Sequence, residues 1–141
     1  MSKFEPKEYL DFSSKIIQQD KSQSALRTAI NRFYYACFLI GIEALEKKGW
    51  YNRSFSGEDH RRVWEILRRH RNPSGAGDEL QKLYRLREHA DYHTDSAIAN
   101  NSQCIYCRED ILVTEEMRGK AEDLANRLFP RLKSLASVSS S

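Results

Sequence analysis

The chain has 141 residues, 40% of them apolar and 30% charged, and a formal net charge of +3. That balance belongs to one globular domain with its own core, not to a disordered segment, and no apolar run approaches the roughly 18 residues that a membrane span needs. Three cysteines make no disulfide framework, and the opening MSKFEPKEYL has no apolar secretory core, so a reducing cytoplasm is the expected setting.

Almost every segment reads as helix. Pro6 suits a first turn, and Tyr9, Leu10, Phe12, Ile16 and Ile17 give the following turns an apolar side. The stretch SALRTAINRFYYACFLIGIEALEKKG carries the strongest pattern, with Leu26, Ala29, Ile30, Phe33, Cys37, Ile40 and Ala44 at helical spacing. Tyr34, Tyr35, Phe38 and Leu39 make its other sides apolar as well, so this helix is expected at the centre, ending at Gly49. Ser56 and Asp59 resemble a capping box for a third helix with Val63, Trp64, Ile66 and Leu67 on its inner side. After NPSGAG, Asp78 and Gln81 are placed to cap a fourth helix bearing Leu80, Leu83, Tyr84, Leu86 and Ala90. ANNSQCIYC interrupts the pattern, and Thr114 starts a last helix with Met117, Leu124, Leu128, Leu132 and Leu135. The expected fold is an all-α antiparallel bundle of four to five helices, one domain over residues 1–135, with a disordered tail over 136–141.

The densest chemistry lies in RLREHADYH, residues 85–93. At about 100° per residue, Arg85, His89 and His93 share one ridge and Arg87 and Asp91 another. In a structural reading Arg87 and Asp91 are an ordinary helix ion pair, the histidines lie on a solvated ridge, and Tyr92 tucks its ring inward with its hydroxyl outward. In a functional reading the stretch handles a phosphodiester. Metal-free RNA cleavage needs a base for the 2′-hydroxyl, an acid for the leaving 5′-oxygen and a cation for the charge growing on phosphorus. Histidine serves the first two near neutral pH and arginine the third. Arg87 and His93 are about 120° apart on an ideal helix, so they converge only if the helix loosens or two chains pool their copies.

SALRTAINRFYYACFLIGIEAL, HRRVWEIL, LYRLREHADYH and TEEMRGKAEDLANRLFPRL, in that order, resemble the small HEPN-domain proteins (higher eukaryotes and prokaryotes nucleotide-binding). The features that carry the resemblance are the Ser-Ala helix start with paired tyrosines in FYYA, His60 opening the third helix, and R-x-x-A-D-Y met by Arg87, Ala90, Asp91 and Tyr92. The resemblance implies a homodimeric helical bundle and, in many members, a metal-independent endoribonuclease with an arginine and a histidine four to six residues apart. Arg87 and His93 fit that spacing. It implies a groove shared across the dimer, as in toxin–antitoxin and phage-defence systems. There His93 acts as general base in one copy and acid in the other, and Arg87 stabilises the transition state. Asp91 orients Arg87, Tyr92 and His89 support the groove, and a 2′,3′-cyclic phosphate is left. The alternative within the family is a non-catalytic module that binds a nucleotide or a partner, either an antitoxin or a small nucleotidyltransferase.

Arg61 with Arg68 and Arg62 with Arg69 form two further ridges, read either as a solvated face or as a rail for RNA backbone. Trp50 and Tyr51, beside Arg53, either stack on bases or cover the end of the bundle. Cys104 and Cys107 form one C-x-x-C, short of the ligands a zinc site needs, and Cys37 lies in the most apolar helix. With no glycine-rich phosphate loop and no paired-carboxylate centre, no metal and no cofactor is expected.

Overall fold

The computed structural model describes residues 4–71, 73–92 and 112–137, which form five helices with no strand among them. They are α1 (Lys7–Gln19), α2 (Gln23–Lys47), α3 (Glu58–His70), α4 (Ala76–Tyr92) and α5 (Glu115–Ser137). The all-helical bundle expected from the periodicity is the observed one, and among the described residues no helix is long and apolar enough to cross a membrane.

α2 is the axis, as its apolar faces require: α1, α3, α4 and α5 all pack on it, and Ala29, Ile30, Phe33, Tyr34, Ala36 and Cys37 are wholly buried. Its start is capped by Ser22, whose hydroxyl accepts from the Ala25 N–H, and its end passes through Gly49 at φ 74°, a conformation that only glycine adopts without strain. Thr114 caps α5 as expected, its hydroxyl accepting from the Met117 N–H at 3.1 Å. That helix runs through Ser137 with Ala136 buried, two residues beyond the expected end of the domain, while residues 138–141 lie outside the described part.

Neighbours do not simply alternate in direction. α4 runs opposite to α2, since Arg27 near the start of α2 reaches the Ala90 carbonyl near the end of α4. α5 runs with α2: Gln23 exchanges hydrogen bonds with Val113 at one end, and Gly41 lies against Leu132 towards the other.

Two expected caps are used differently. α3 begins after Gly57 with no side-chain cap, and the Asp59 carboxylate turns back to accept from Tyr51 Oη, the Ser54 N–H and hydroxyl, and the Phe55 N–H. Asp78 and Gln81 accept from Arg68 instead of capping α4. α3 and α4 cross at Gly77, where an added Cβ would stand 2.5 Å from the Trp64 carbonyl oxygen. This near contact of backbones brings the first turn of α3 over the middle of α4.

Candidate functional site

Arg87 is the organising residue. It leaves α4 between helices and is 8% exposed, so its charge has to be met inside the protein. Nε donates to Asp91 Oδ2 at 2.9 Å, one helical turn on, and Nη2 donates to the Tyr35 and Tyr92 hydroxyls, both at 3.1 Å. The rings of Tyr34, Tyr35, Tyr84 and Tyr92 stand 5.1–5.8 Å from the guanidinium carbon. A cation among electron-rich faces with two of its three nitrogens engaged is held in one orientation. Nη1 has no hydrogen-bond partner among the described residues.

Asp91 is fixed in turn by the Asn31 side-chain N–H at 2.8 Å. Arg27 donates to the Ala90 carbonyl at 2.9 Å, placing a cation on the negative end of α4. Beside this end of α4 runs an open cleft of about 510 Å³ with Arg27, Asn31 and Arg32 on one wall and Asp91 and Tyr92 on the other. Arg32 forms no ion pair among the described residues; its guanidinium lies 4.7 Å from the centre of the Tyr9 ring.

The first turn of α3 adds His60. Its ring stacks on Phe38 at 4.3 Å, and Nδ1 lies 2.5 Å from the buried Tyr34 hydroxyl. The rings of Tyr34, Tyr35 and Tyr84, which also surround Arg87, stand 5.6–5.9 Å from the imidazole. Burial, and then the positive charge of Arg87, hold the His60 pKa below the usual histidine value against the opposing pull of Asp59. Burial likewise pushes the Tyr34 hydroxyl well up, so it stays neutral. Arg87 and His60, far apart in the chain, thus share one half-buried aromatic chamber between α2, α3 and α4.

Of the residues singled out in the sequence, Arg87, Asp91 and Tyr92 come together here, and Asp91 orients Arg87 as expected. Tyr92 is inverted from the structural reading: the residue is 57% exposed and its hydroxyl turns inward to Arg87. His89 has to be corrected. It is 1% exposed, inside the core and not on a solvated ridge, because α4 is covered by α5 as well as by α2 and α3. His93, Cys104 and Cys107 lie outside the described residues.

The α3 arginines are exposed on one face, but most of their charge is answered locally. Arg61 pairs with Glu58 and Glu65, Arg62 with Glu65, and Arg68 with Asp78; Arg69 has no ion pair among the described residues. Trp50 covers the bundle end, stacked on His70 with centroids 3.7 Å apart, and Tyr51 is committed to Asp59. Among the described residues there is no group of three or more His, Cys, Asp or Glu side chains placed to hold a metal.

Arg27, Asn31, Tyr35 and His60 also belong to this site, though none of them lies in the RLREHADYH stretch. The signal for Tyr35 and His60 was present in the paired tyrosines and the helix-opening histidine, but nothing in local spacing places either beside Arg87. No family model matches the chain, and no curated protein or solved structure matches it.

Proposed function

We propose that this chain is a metal-independent endoribonuclease that works as a homodimer, as its resemblance to HEPN proteins implies. The observation that carries the reading is the setting of Arg87. Asp91, Tyr35 and Tyr92 engage Nε and Nη2, Nη1 has no hydrogen-bond partner among the described residues, and the next residue after Tyr92 is His93. A guanidinium fixed before substrate arrives stabilises charge on phosphorus without reorganising during the reaction. His93 of one protomer takes the 2′-hydroxyl proton and His93 of the other protonates the departing 5′-oxygen. The oxygen freed of its proton attacks phosphorus, the P–O5′ bond breaks, and a 2′,3′-cyclic phosphate and a free 5′-hydroxyl remain. Backbone contacts along the cleft of Arg27 and Arg32 would bring the strand in with little sequence preference.

Mixed cellular RNA incubated with the purified protein in EDTA tests the proposal. Cleavage to cyclic phosphate ends, lost in His93→Ala while the helical signal and the dimer persist, is the expected result. No EDTA-resistant cleavage by the wild type overturns it. A second reading is a non-catalytic module that binds a nucleotide, or a partner such as an antitoxin or a small nucleotidyltransferase, without cutting. It is favoured by the near enclosure of Arg87, which leaves one nitrogen to hold a phosphate. Its signature is salt-dependent binding that survives His93→Ala.

A further inference from the structure

His60 is absorbed by neither reading, yet its environment is a specified one. The Tyr34 side chain is wholly buried, and among the described residues its hydroxyl has one hydrogen-bond partner, His60 Nδ1. Two arrangements of protons are possible between them. If Nδ1–H donated to the hydroxyl, the Tyr34 proton would be left inside the core with no acceptor, which is costly. If Tyr34 donates to Nδ1, every buried proton is satisfied, and the neutral imidazole carries its hydrogen on Nε2. Nε2 has no hydrogen-bond partner among the described residues, and His60 itself is half-buried.

We propose that His60 and Arg87 together form a two-donor anion site, in which a neutral Nε2–H of His60 and Nη1 of Arg87 bind the same phosphate group. The inference rests on a phosphate being the ligand of the proposed function, and assigns a second group to its recognition. Three rings, those of Tyr34, Tyr35 and Tyr84, contact both partners, so the two donors belong to one chamber. Phe38, stacked on the imidazole, keeps the ring from turning. The charge balance suits a neutral donor. Tyr34 and Tyr35 face His60 from α2, Tyr84 and Arg87 from α4, and Asp59 adjoins it on its own helix with a carboxylate already engaged by Tyr51, Ser54 and Phe55. A second full positive charge next to Arg87 would be repelled, whereas an N–H dipole adds a directed bond at no such cost. A phosphodiester, with two non-bridging oxygens, fits one charged and one neutral donor.

Histidine nitrogen NMR with inorganic phosphate as the probe tests this independently of catalysis. The expected spectrum of the free wild type shows His60 neutral and protonated on Nε2 at neutral pH. Its Nε2 resonance moves on phosphate addition. Tyr34→Phe, freed of the hydroxyl, shifts the population towards Nδ1–H and weakens phosphate binding several-fold. His60→Ala weakens binding about tenfold, followed by a Tyr35 or Tyr84 ring resonance. His60→Gln, which retains a side-chain N–H, restores it to within about threefold. An Nδ1–H tautomer in the free wild type, an Nε2 resonance indifferent to phosphate, or unchanged affinity in His60→Ala overturns the proposal. Because the readout is binding of phosphate, loss of the ribonuclease reading in the EDTA assay leaves this result standing or falling by itself.

Discussion

Two arginine-rich regions lie within one bundle and differ in almost every physical respect. On α3, Arg61, Arg62 and Arg68 are exposed or half-exposed and each lies against a carboxylate a turn away or on the adjoining helix. Around Arg87, among the described residues, one carboxylate, Asp91, pairs with it and is shared with Asn31, and tyrosine rings make up most of the remaining shell. The first region holds more arginines, most of them answered by carboxylates, and the second holds one buried arginine answered by one carboxylate and by aromatic rings. Phosphate recognition depends on how many donors are left directed and uncompensated, and a local count of arginines does not measure that. The contrast also separates cost from use. Exposed pairs form with little desolvation, whereas a guanidinium at 8% exposure is tolerated only because hydrogen bonds and ring faces replace its water.

The comparison can be broken first at its strong side. Arg87→Ala should abolish RNA cleavage, a loss of at least about a hundredfold for a group of this role. It should also lower unfolding stability by about 3 kcal/mol in urea titrations, because Asp91 and two tyrosine hydroxyls lose a charged partner. Arg87→Lys, keeping charge but not the fork, should recover part of the stability and little of the cleavage. Gly77→Ala acts on the frame that holds His60 over Arg87. With the Trp64 carbonyl already in the way of a Cβ, α3 and α4 must separate, and a loss of about 2 kcal/mol is expected from overpacking, measured by thermal unfolding.

Asp59→Asn tests how the start of α3 is tied down. Burial acts to raise the Asp59 pKa, but hydrogen bonds from Tyr51, Ser54 and Phe55 prevail and hold it at about 2, against 3.8 for an ordinary aspartate. A carboxyl whose folded pKa lies below its unfolded value stabilises the fold above the unfolded pKa and loses that contribution as pH falls through the folded one. Wild type should therefore lose stability between about pH 4 and pH 2, whereas Asp59→Asn is about 2 kcal/mol weaker at neutral pH and flatter over that range in acid titrations followed by circular dichroism. The smallest effect is expected on α3. Arg61→Ala and Arg68→Ala should each change stability by about 0.5 kcal/mol or less, and affinity for RNA by about twofold or less, in salt-controlled binding assays. A larger loss there than at Arg32, which lines the cleft, would reverse the ranking of the two regions.

Periodicity made α2 legible as the central helix, since apolar residues on every side leave no face for water. The Thr114 cap and the Gly49 stop were legible because they depend on residues within a turn of each other. The Arg87–Asp91 pair was legible for the same reason. His89 was not: helical spacing puts it on a ridge with Arg85, and nothing in α4 alone says that α5 covers that side. Spacing on α3 left the solvated face and the rail equally open: Glu65 lies within the run beside Arg61 and Arg62, but the Asp78 that answers Arg68 comes from another helix.

Residue spacing was enough for what a single helix enforces: an all-helical bundle, its central segment, the Thr114 cap and the Gly49 stop, and pairs one turn apart. What only tertiary structure decided is which polar side chains meet across helices. Tyr35 from α2, His60 from α3 and Arg87 from α4 share one chamber because Gly77 lets two backbones nearly touch and α4 runs against α2. Short-range geometry is written in residue spacing, whereas the burial of a charge depends on which helices close around it.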